Sequence, residues 1–316
     1  MRYSTFGSSG LRVSEFALGT MRMPRDETGP TSESRAIFEA FAEAGGNFID
    51  TADAYGEAEV LTRELVGADR ERFVIGTKYT LQRRADDVNS AGSHRKNLVG
   101  ALESSLRRLG TDYVDIYWVH ARDVLTPVEE TMRALDDQVR AGKVLYVGVS
   151  DWHAWEIAQA NTVATLRGWT AFAGIQVPYS LAERTVEREL VPMAARFGLA
   201  ITAWSPLGGG RLARGDDPIA SAVGTIADEV EATSSQVALA WLRSRPGAVI
   251  PIVGASRGQQ MRENLGALDL ELSAGQLRTL DQVSAVDLGF PGAFLADEHV
   301  QDAVYGNRRA RLGRKP

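Results

Sequence analysis

The chain has 316 residues, of which 44% are apolar and 24% charged, a balance that fills a sizeable core and excludes disordered and fibrous classes. It has no cysteine, which excludes disulfides, thiolate metal sites, redox pairs and a cysteine nucleophile. Lys and Arg number 35 against 41 Asp and Glu, a formal charge of −6, so nucleic acid and anionic lipid meet no long-range attraction and an anionic ligand needs a local site.

From the N-terminus, Met1 to Gly10 lacks the basic and apolar regions of a signal peptide, and no apolar run approaches the roughly 20 residues of a membrane span. A cytoplasmic protein is expected. Tyr3 to Phe6 and Leu11 to Ser14, separated by Gly7-Ser8-Ser9-Gly10, predict a hairpin that precedes the main fold and covers its bottom. Buried strands follow at Phe16 to Thr20, Phe48 to Thr51, Phe73 to Lys78, Val114 to His120, Val144 to Ser150, Gly174 to Val177, Ala200 to Trp204 and Val249 to Gly254, placed by β-branched content and bounding turn residues.

Helical stretches alternate with them. Ser32 to Ala44 sets Ile37, Phe38, Phe41 and Ala44 on one face and stops at Gly45-Gly46. His94 to Leu109 repeats Leu98, Leu102, Leu106 and Leu109 on one stripe. Thr126-Pro127-Val128-Glu129 predicts a capping box for a helix closed by Gly142, and Ser256-Arg257-Gly258-Gln259 predicts another. Strands alternating with helices without a long linker predict an α/β fold, a (β/α)8 TIM barrel with an N-terminal β-hairpin and a C-terminal extension past Asn264, residues 1–316 forming a single domain. An open doubly wound sheet is the alternative. Arg308, Arg309, Arg311, Arg314 and Lys315 at the end read as a solvated tail. No feature sets an oligomeric state.

In a parallel barrel the C-terminal strand ends form the mouth. Here they carry Gly19-Thr20-Met21, Asp50, Lys78, His120, Ser150-Asp151, Gln176, Trp204-Ser205 and Gly254-Ala255-Ser256, whereas most opposite ends begin with apolar residues. Lys78 shares its face with Gly76 and Val74, so it points into the barrel and needs an anion, for which Asp50 is the candidate. A structural buried ion pair is the alternative. Tyr55, five residues past Asp50 in a loop ending at Gly56, places a phenol near that ammonium, which would lower its pKa and make it a proton donor. Alternatively, the ring only packs the loop. The four histidines, His94, His120, His153 and His299, have no metal-ligand spacing, and no metal is expected. Ser205-Pro206-Leu207-Gly208-Gly209-Gly210, followed by Arg211 and Arg214, can hold a pyrophosphate or be only a flexible loop. Together with the helix start at Ser256-Arg257 it suggests a ligand with more than one phosphate. Met21, Tyr79, Arg122 and Trp152 follow strand ends and are expected to line a substrate pocket, with Arg122 either attracting an acidic substrate or facing solvent.

Several segments in this order resemble the aldo-keto reductase family: Phe48 to Gly56, Gly110 to Tyr117, Thr126 to Thr131, Gly142-Lys143-Val144, Gly148-Val149-Ser150, Trp204 to Gly210 and Pro251 to Ala255. Tyr179-Ser180-Leu181 and Glu187 to Leu190 look like the bacterial branch similar to potassium-channel beta subunits. The resemblance implies an NADP(H)-dependent oxidoreductase that reduces a small-molecule carbonyl substrate. It implies Tyr55 as general acid, Lys78 as the residue tuning it, Asp50 as the partner of Lys78, and His120 as the donor orienting the carbonyl. Gly19, Thr20, Met21, Asp50 and Gly254 would border the cofactor; Ser150, Asp151 and Gln176 would hold the nicotinamide carboxamide under Trp204. Ser205, Pro206, Leu207, Gly209, Arg211 and Arg214 would carry the pyrophosphate. Ser256, Arg257, Gln260 and Asn264 would hold the adenosine end. Asp151 stands where the family usually has Asn, and the loop after Gly210 lacks the usual Gly-Lys ending. A Schiff-base lyase using Lys78 and an NADPH-binding sensor with little turnover are the rival functions.

Overall fold

The computed structural model describes residues 1–213, 217–247, 249–306, 308 and 311–312; Arg214, Arg309, Arg314 and Lys315 lie outside the described residues. β1 (Tyr3–Thr5) and β2 (Arg12–Ser14) pair antiparallel as the expected hairpin. β3 (Ala17–Gly19) opens the barrel, and a short ribbon of β4 (Arg25–Asp26) and β5 (Gly29–Pro30) lies in the loop after it. The other barrel strands are β6 (Phe48–Asp50), β7 (Val74–Tyr79), β8 (Val114–Val119), β9 (Val144–Ser150), β10 (Gly174–Pro178), β11 (Ala200–Trp204) and β12 (Val249–Val253). They pair in parallel in chain order, and β12 closes on β3. The structure is therefore the closed (β/α)8 barrel and not the open sheet.

The interior is filled by Phe6, Phe48, Val74, Ile116, Trp118, Ala200 and Ile250, all buried. Phe6, just past β1, meets Phe48 at 6.1 Å and Trp118 at 5.9 Å between ring centroids, both edge to face, so the hairpin plugs the bottom as expected. Two glycines make room for these rings. A Cβ at Gly148 would fall 2.4 Å from the Trp118 ring, and one at Gly174 would fall 2.5 Å from Phe6. Trp118 lies in register with Lys78 on one side and Gly148 on the other, which makes its indole the floor beneath the mouth. A second apolar layer joins the outward strand faces to the helices and includes Ile75, Tyr79, Leu98, Leu102, Tyr117 and Leu135.

Helix ends follow the sequence less closely. Neither expected capping box forms. The Thr126 hydroxyl donates to the Asp123 carboxylate at 2.5 Å, and the helix Val128–Arg140 begins at Pro127 without a side-chain cap. At the other site the Ser256 N–H donates to the Gln260 side chain, Gln259 donates to Glu263, and the helix Gly258–Leu265 begins after Arg257. In each case the helix starts one residue later than the pattern requires, so the hydroxyl is out of reach of the N3 amide. His94 does cap its helix, its Nδ1 accepting from the Asn97 N–H.

Past β12 the chain runs through Ala274–Val283 to two largely exposed helices, Gly289–Ala296 and Glu298–Tyr305. Arg184 and Arg188, from the segment after β10, hold the start of this extension through Asp281, Ser284 and the Asp287 carbonyl. No helix among the described residues is long and apolar enough to cross a membrane.

Candidate active site

Asp50 ends β6, Lys78 lies on β7, and His120 follows β8, so three neighbouring strands deliver their last polar groups to one place. Tyr55 sits in the turn between β6 and the helix Ala58–Val66, where the Tyr55 N–H donates to the Ala52 carbonyl and the Ala58 N–H to the Tyr55 carbonyl. That turn folds the phenol back over the strand ends.

Lys78 is the centre of the group. Its Nζ donates to Asp50 Oδ2 at 2.6 Å, the Thr51 carbonyl at 3.0 Å and the Tyr55 hydroxyl oxygen at 3.2 Å. All three ammonium protons are thus used, and the side chain is fully buried. The other Asp50 oxygen accepts from Gln176 Nε2 at 2.8 Å, which ties the carboxylate to β10 across the barrel. Since the Tyr55 oxygen accepts from Lys78, its own O–H is left to donate elsewhere.

The phenol pKa is raised above its ordinary 10. Burial is the main cause; the Lys78 ammonium opposes it, and the Asp50 carboxylate adds to it. The direction therefore corrects the sequence expectation: Lys78 does act to lower the pKa, but desolvation outweighs it. The His120 ring meets that of Tyr55 edge to face at 5.7 Å. Burial and the nearby Lys78 ammonium lower its pKa to about 3, so the imidazole is neutral and offers one N–H donor.

The strand ends on the other side of the mouth form a rim. Trp204 is partly exposed at the end of β11, and its Nε1 donates to Asp151 Oδ1 at 3.3 Å. Asp151 follows β9 with φ of +53°, and burial raises its pKa. Ser150 and Gln176 are buried between these two residues and Asp50. Thr20 is buried, donating to the Asp50 carbonyl at 3.1 Å, and Met21 is exposed beside it. Gly19 and Gly254 face each other across the β3–β12 seam, where a Cβ on Gly254 would meet nothing closer than the Gly19 carbonyl at 4.0 Å. In the Ser205-to-Arg211 stretch that follows, the backbone is open at Gly209, where a Cβ would meet nothing within 4 Å, while a Cβ at Gly208 would lie 3.1 Å from Ala182.

These features fit an extended dinucleotide. An exposed aromatic face, uncovered backbone at Gly209 and Gly254, and a buried Asn264 Nδ2 with no hydrogen-bond partner among the described residues lie along the β9-to-β12 side. Two details run against the expected phosphate contacts. Arg211 is already paired with Asp217 at 2.6 Å, and the Gly258 N–H at the helix start donates to the Glu33 carboxylate at 2.7 Å. Ser256 and Arg257 remain exposed, and Gln260 is half-buried.

Two of the four expected pocket residues are elsewhere. Tyr79 is fully buried on the outer face of β7, stacked on Tyr117 at 5.0 Å, its hydroxyl donating to the Ser93 carbonyl at 3.3 Å. Trp152 packs edge to face on Phe172 beneath the Arg122 guanidinium. Arg122 itself is held by Glu156 at 2.6 Å, so its charge is neutralised and neither expected use of it stands unaltered. Met21 is exposed beside Thr20. Among the described residues no group of three His, Asp or Glu could hold a metal ion.

One group beside the site went unassigned in the sequence. Asp53, two residues before Tyr55, has a fully buried side chain whose carboxylate oxygens find no hydrogen-bond partner among the described residues. Burial and the Glu59 carboxylate raise its pKa to about 7. Its only available signal was a second acid in the short run Asp50-Thr51-Ala52-Asp53.

The aldo/keto reductase family model matches residues 15–285. A putative aryl-alcohol dehydrogenase of Saccharomyces cerevisiae is 32% identical over 332 aligned positions, covering 92% of this chain and 88% of that protein. A norsolorinic acid reductase of Aspergillus flavus is 33% identical, covering 93% of this chain and 84% of that protein. An aldo-keto reductase of Aspergillus calidoustus is 34% identical, with 90% and 82% covered.

Proposed function

Because the chain belongs to the aldo/keto reductase family, an oxidoreductase family, we propose that it reduces an aldehyde or ketone to an alcohol with NADPH, Tyr55 giving the proton. The observation that carries this reading is the Lys78 ammonium, which donates at once to Asp50, Thr51 and Tyr55 and so leaves the phenol proton free for a substrate oxygen. Bound NADPH supplies the hydride. The protein supplies position and electrostatics.

With its pKa raised, Tyr55 keeps its proton through the neutral range and meets the carbonyl as a donor. Neutral His120 adds a second N–H donor to the same oxygen, and the two donors together oppose the negative charge that develops there. When the proton leaves Tyr55, the phenolate lies 3.2 Å from the Lys78 ammonium. Lys78 therefore acts mainly on the product side of the proton transfer, where its attraction is greatest. Asp50, braced by Gln176, holds Lys78 in place.

Gly19, Thr20 and Met21 would border the nicotinamide, with Ser150, Asp151 and the Gln176 carbonyl for its carboxamide and Trp204 against the ring. The backbone from Ser205 to Gly210 would carry the pyrophosphate, and Ser256, Arg257, Gln260 and Asn264 the adenosine and its 2′-phosphate. The hairpin, barrel and C-terminal helices are taken as one domain.

The Schiff-base rival requires an uncharged amine, whereas Lys78 has three acceptors placed around its nitrogen. The test is Tyr55→Phe against a panel headed by aryl aldehydes, as the names of the relatives suggest. NADPH oxidation should fall by at least about a thousandfold, the upper part of the range for general-acid catalysis, while NADPH binding by fluorescence stays near normal. Retained turnover refutes the assignment. A wild-type protein that binds NADPH but turns over nothing in the panel is instead a cofactor sensor.

A further inference from the structure

Behind the active site lies a buried group of charges that the mechanism above does not use. Asp53 occupies the turn that carries Tyr55, its N–H donating to the carbonyl of Lys78 at 3.3 Å. Its carboxylate points away from the mouth, into the layer between the barrel and the helices. Arg83, from the loop after β7, faces it with Nε 3.9 Å from Oδ2. Neither Arg83 Nε nor either Asp53 oxygen has a hydrogen-bond partner among the described residues, and all three atoms are buried. The other end of Arg83 is fixed, since one terminal nitrogen donates to Asn97 Oδ1 at 2.8 Å.

The other charged and hydroxyl side chains facing Asp53 are already engaged, and the Ala54 N–H of the same turn is a weaker influence favouring its ionised form. Glu59, on the helix Ala58–Val66, accepts from Thr77 and is paired with Arg108 of the helix Arg95–Leu109. Tyr117 on β8 donates to the Leu98 carbonyl. Lys78, whose carbonyl Asp53 meets, turns its ammonium to the opposite side of the strand. Among the described residues, Arg83 is therefore the one facing cation with an unused donor toward Asp53.

We propose that Asp53 and Arg83 form a positioning pair, in which the ionised carboxylate draws the guanidinium in and locks the Tyr55 turn against the loop after β7, and the protonated carboxyl releases it. The inference rests on Tyr55 being the proton donor. An ionised buried carboxylate needs its donor, and Arg83 Nε is placed to supply it with a small rotation. A neutral carboxyl has no such need. The pH at which the turn tightens is set by Asp53, whose pKa near 7 separates it from Tyr55 above 10 and His120 near 3. Asp151 at the rim also has a raised pKa, so the assignment requires variants.

The experiment follows kcat for carbonyl reduction from pH 5.5 to 8.5 in wild type, Asp53→Asn, Arg83→Met and Arg83→Lys, with melting temperature recorded for each. Wild-type kcat is expected to rise about tenfold through neutral pH, a fraction of the hundredfold that a 1 Å misplacement brings. Asp53→Asn and Arg83→Met should remain near the low wild-type rate throughout, and Arg83→Lys should restore the rise. A readout independent of turnover is the Asp53 carboxyl ¹³C resonance, assigned by its absence in Asp53→Asn and expected to titrate near 7. The proposal is overturned if wild type shows no neutral rise, if the rise persists in Asp53→Asn, if Asp53→Asn slows every pH equally, or if the carboxyl titrates below 5. Failure of the Tyr55 reading appears separately, as turnover retained in Tyr55→Phe.

Discussion

Lys78 and Asp50 form a buried pair at 2.6 Å, with side chains 0% and 5% exposed, and the pair can be dissected by a double-mutant cycle. At an effective dielectric near 20, unit charges at that separation attract by about 6 kcal/mol. Each ion has given up hydration to reach the barrel interior, so the net value of the pair is smaller than this attraction. Breaking it is another matter. Asp50→Asn leaves the ammonium only neutral acceptors, the new amide oxygen and the Thr51 and Tyr55 oxygens, with no counter-charge, and should cost about 3 to 5 kcal/mol. The double variant with Lys78→Met has no buried charge to strand, so its loss should fall short of the sum of the two single losses by about 3 kcal/mol or more. Urea unfolding at pH 7 measures the three losses, with a constant m-value as the check that the denatured state is unchanged. Activity gives the second axis: both single variants and the double should lose turnover, so stability returns without function. Losses that add to within about 0.5 kcal/mol would refute the coupling and leave Lys78 without the charge partner the mechanism assigns it.

Three further predictions concern groups around this pair. The raised pKa of Asp53 means the folded protein holds that proton more tightly than the unfolded chain, so stability falls as pH rises from 3.8 through about 7 and is then level. Asp53→Asn should remove up to about 4 kcal/mol of that fall, making the variant more stable relative to wild type at pH 8 than at pH 4, as read by urea midpoints. His120 acts in the opposite sense: with its pKa lowered from 6.5 to about 3, stability is lost as pH falls between those values, and His120→Gln should flatten the acid limb. A wild-type acid limb kept intact in that variant would move the effect to another group. Gly148→Ala drives a methyl to 2.4 Å from the buried Trp118 ring and should destabilise by about 1 to 3 kcal/mol, with a changed near-ultraviolet dichroism from the displaced indole.

All eight barrel strands were legible because each is a short apolar run bounded by turn residues, and their ends fall within one residue of those read from the sequence. The candidate group around Lys78 was legible for a related reason. A charged residue ending an apolar strand has few places to go, and alternation along β7 sends Lys78 inward with Gly76 and Val74. Helix starts were less legible, since a hydroxyl and a Glu or Gln at the right spacing do not say which residue takes the N-cap. At Thr126 the nearby Asp123 carboxylate won the hydroxyl, and at Ser256 the helix began a residue late.

The residues misplaced at the mouth share one cause, which also hid Asp53. Being at a strand end sets height along the barrel, not whether a side chain faces the interior or the helices. For Tyr79 the alternation that places Lys78 inside already places its neighbour outside, where it stacks on Tyr117. For Trp152 and Asp53 alternation has no force, because both lie past the last paired residue and their directions are set by the turn. Trp152 turns outward to Phe172, and Asp53 turns outward to Arg83 while Tyr55, two residues on, turns back to Lys78. One short turn thus presents an acid to the outer layer and a phenol to the mouth. A charge change on one side is connected to the proposed proton donor on the other by only the Ala54 backbone between them.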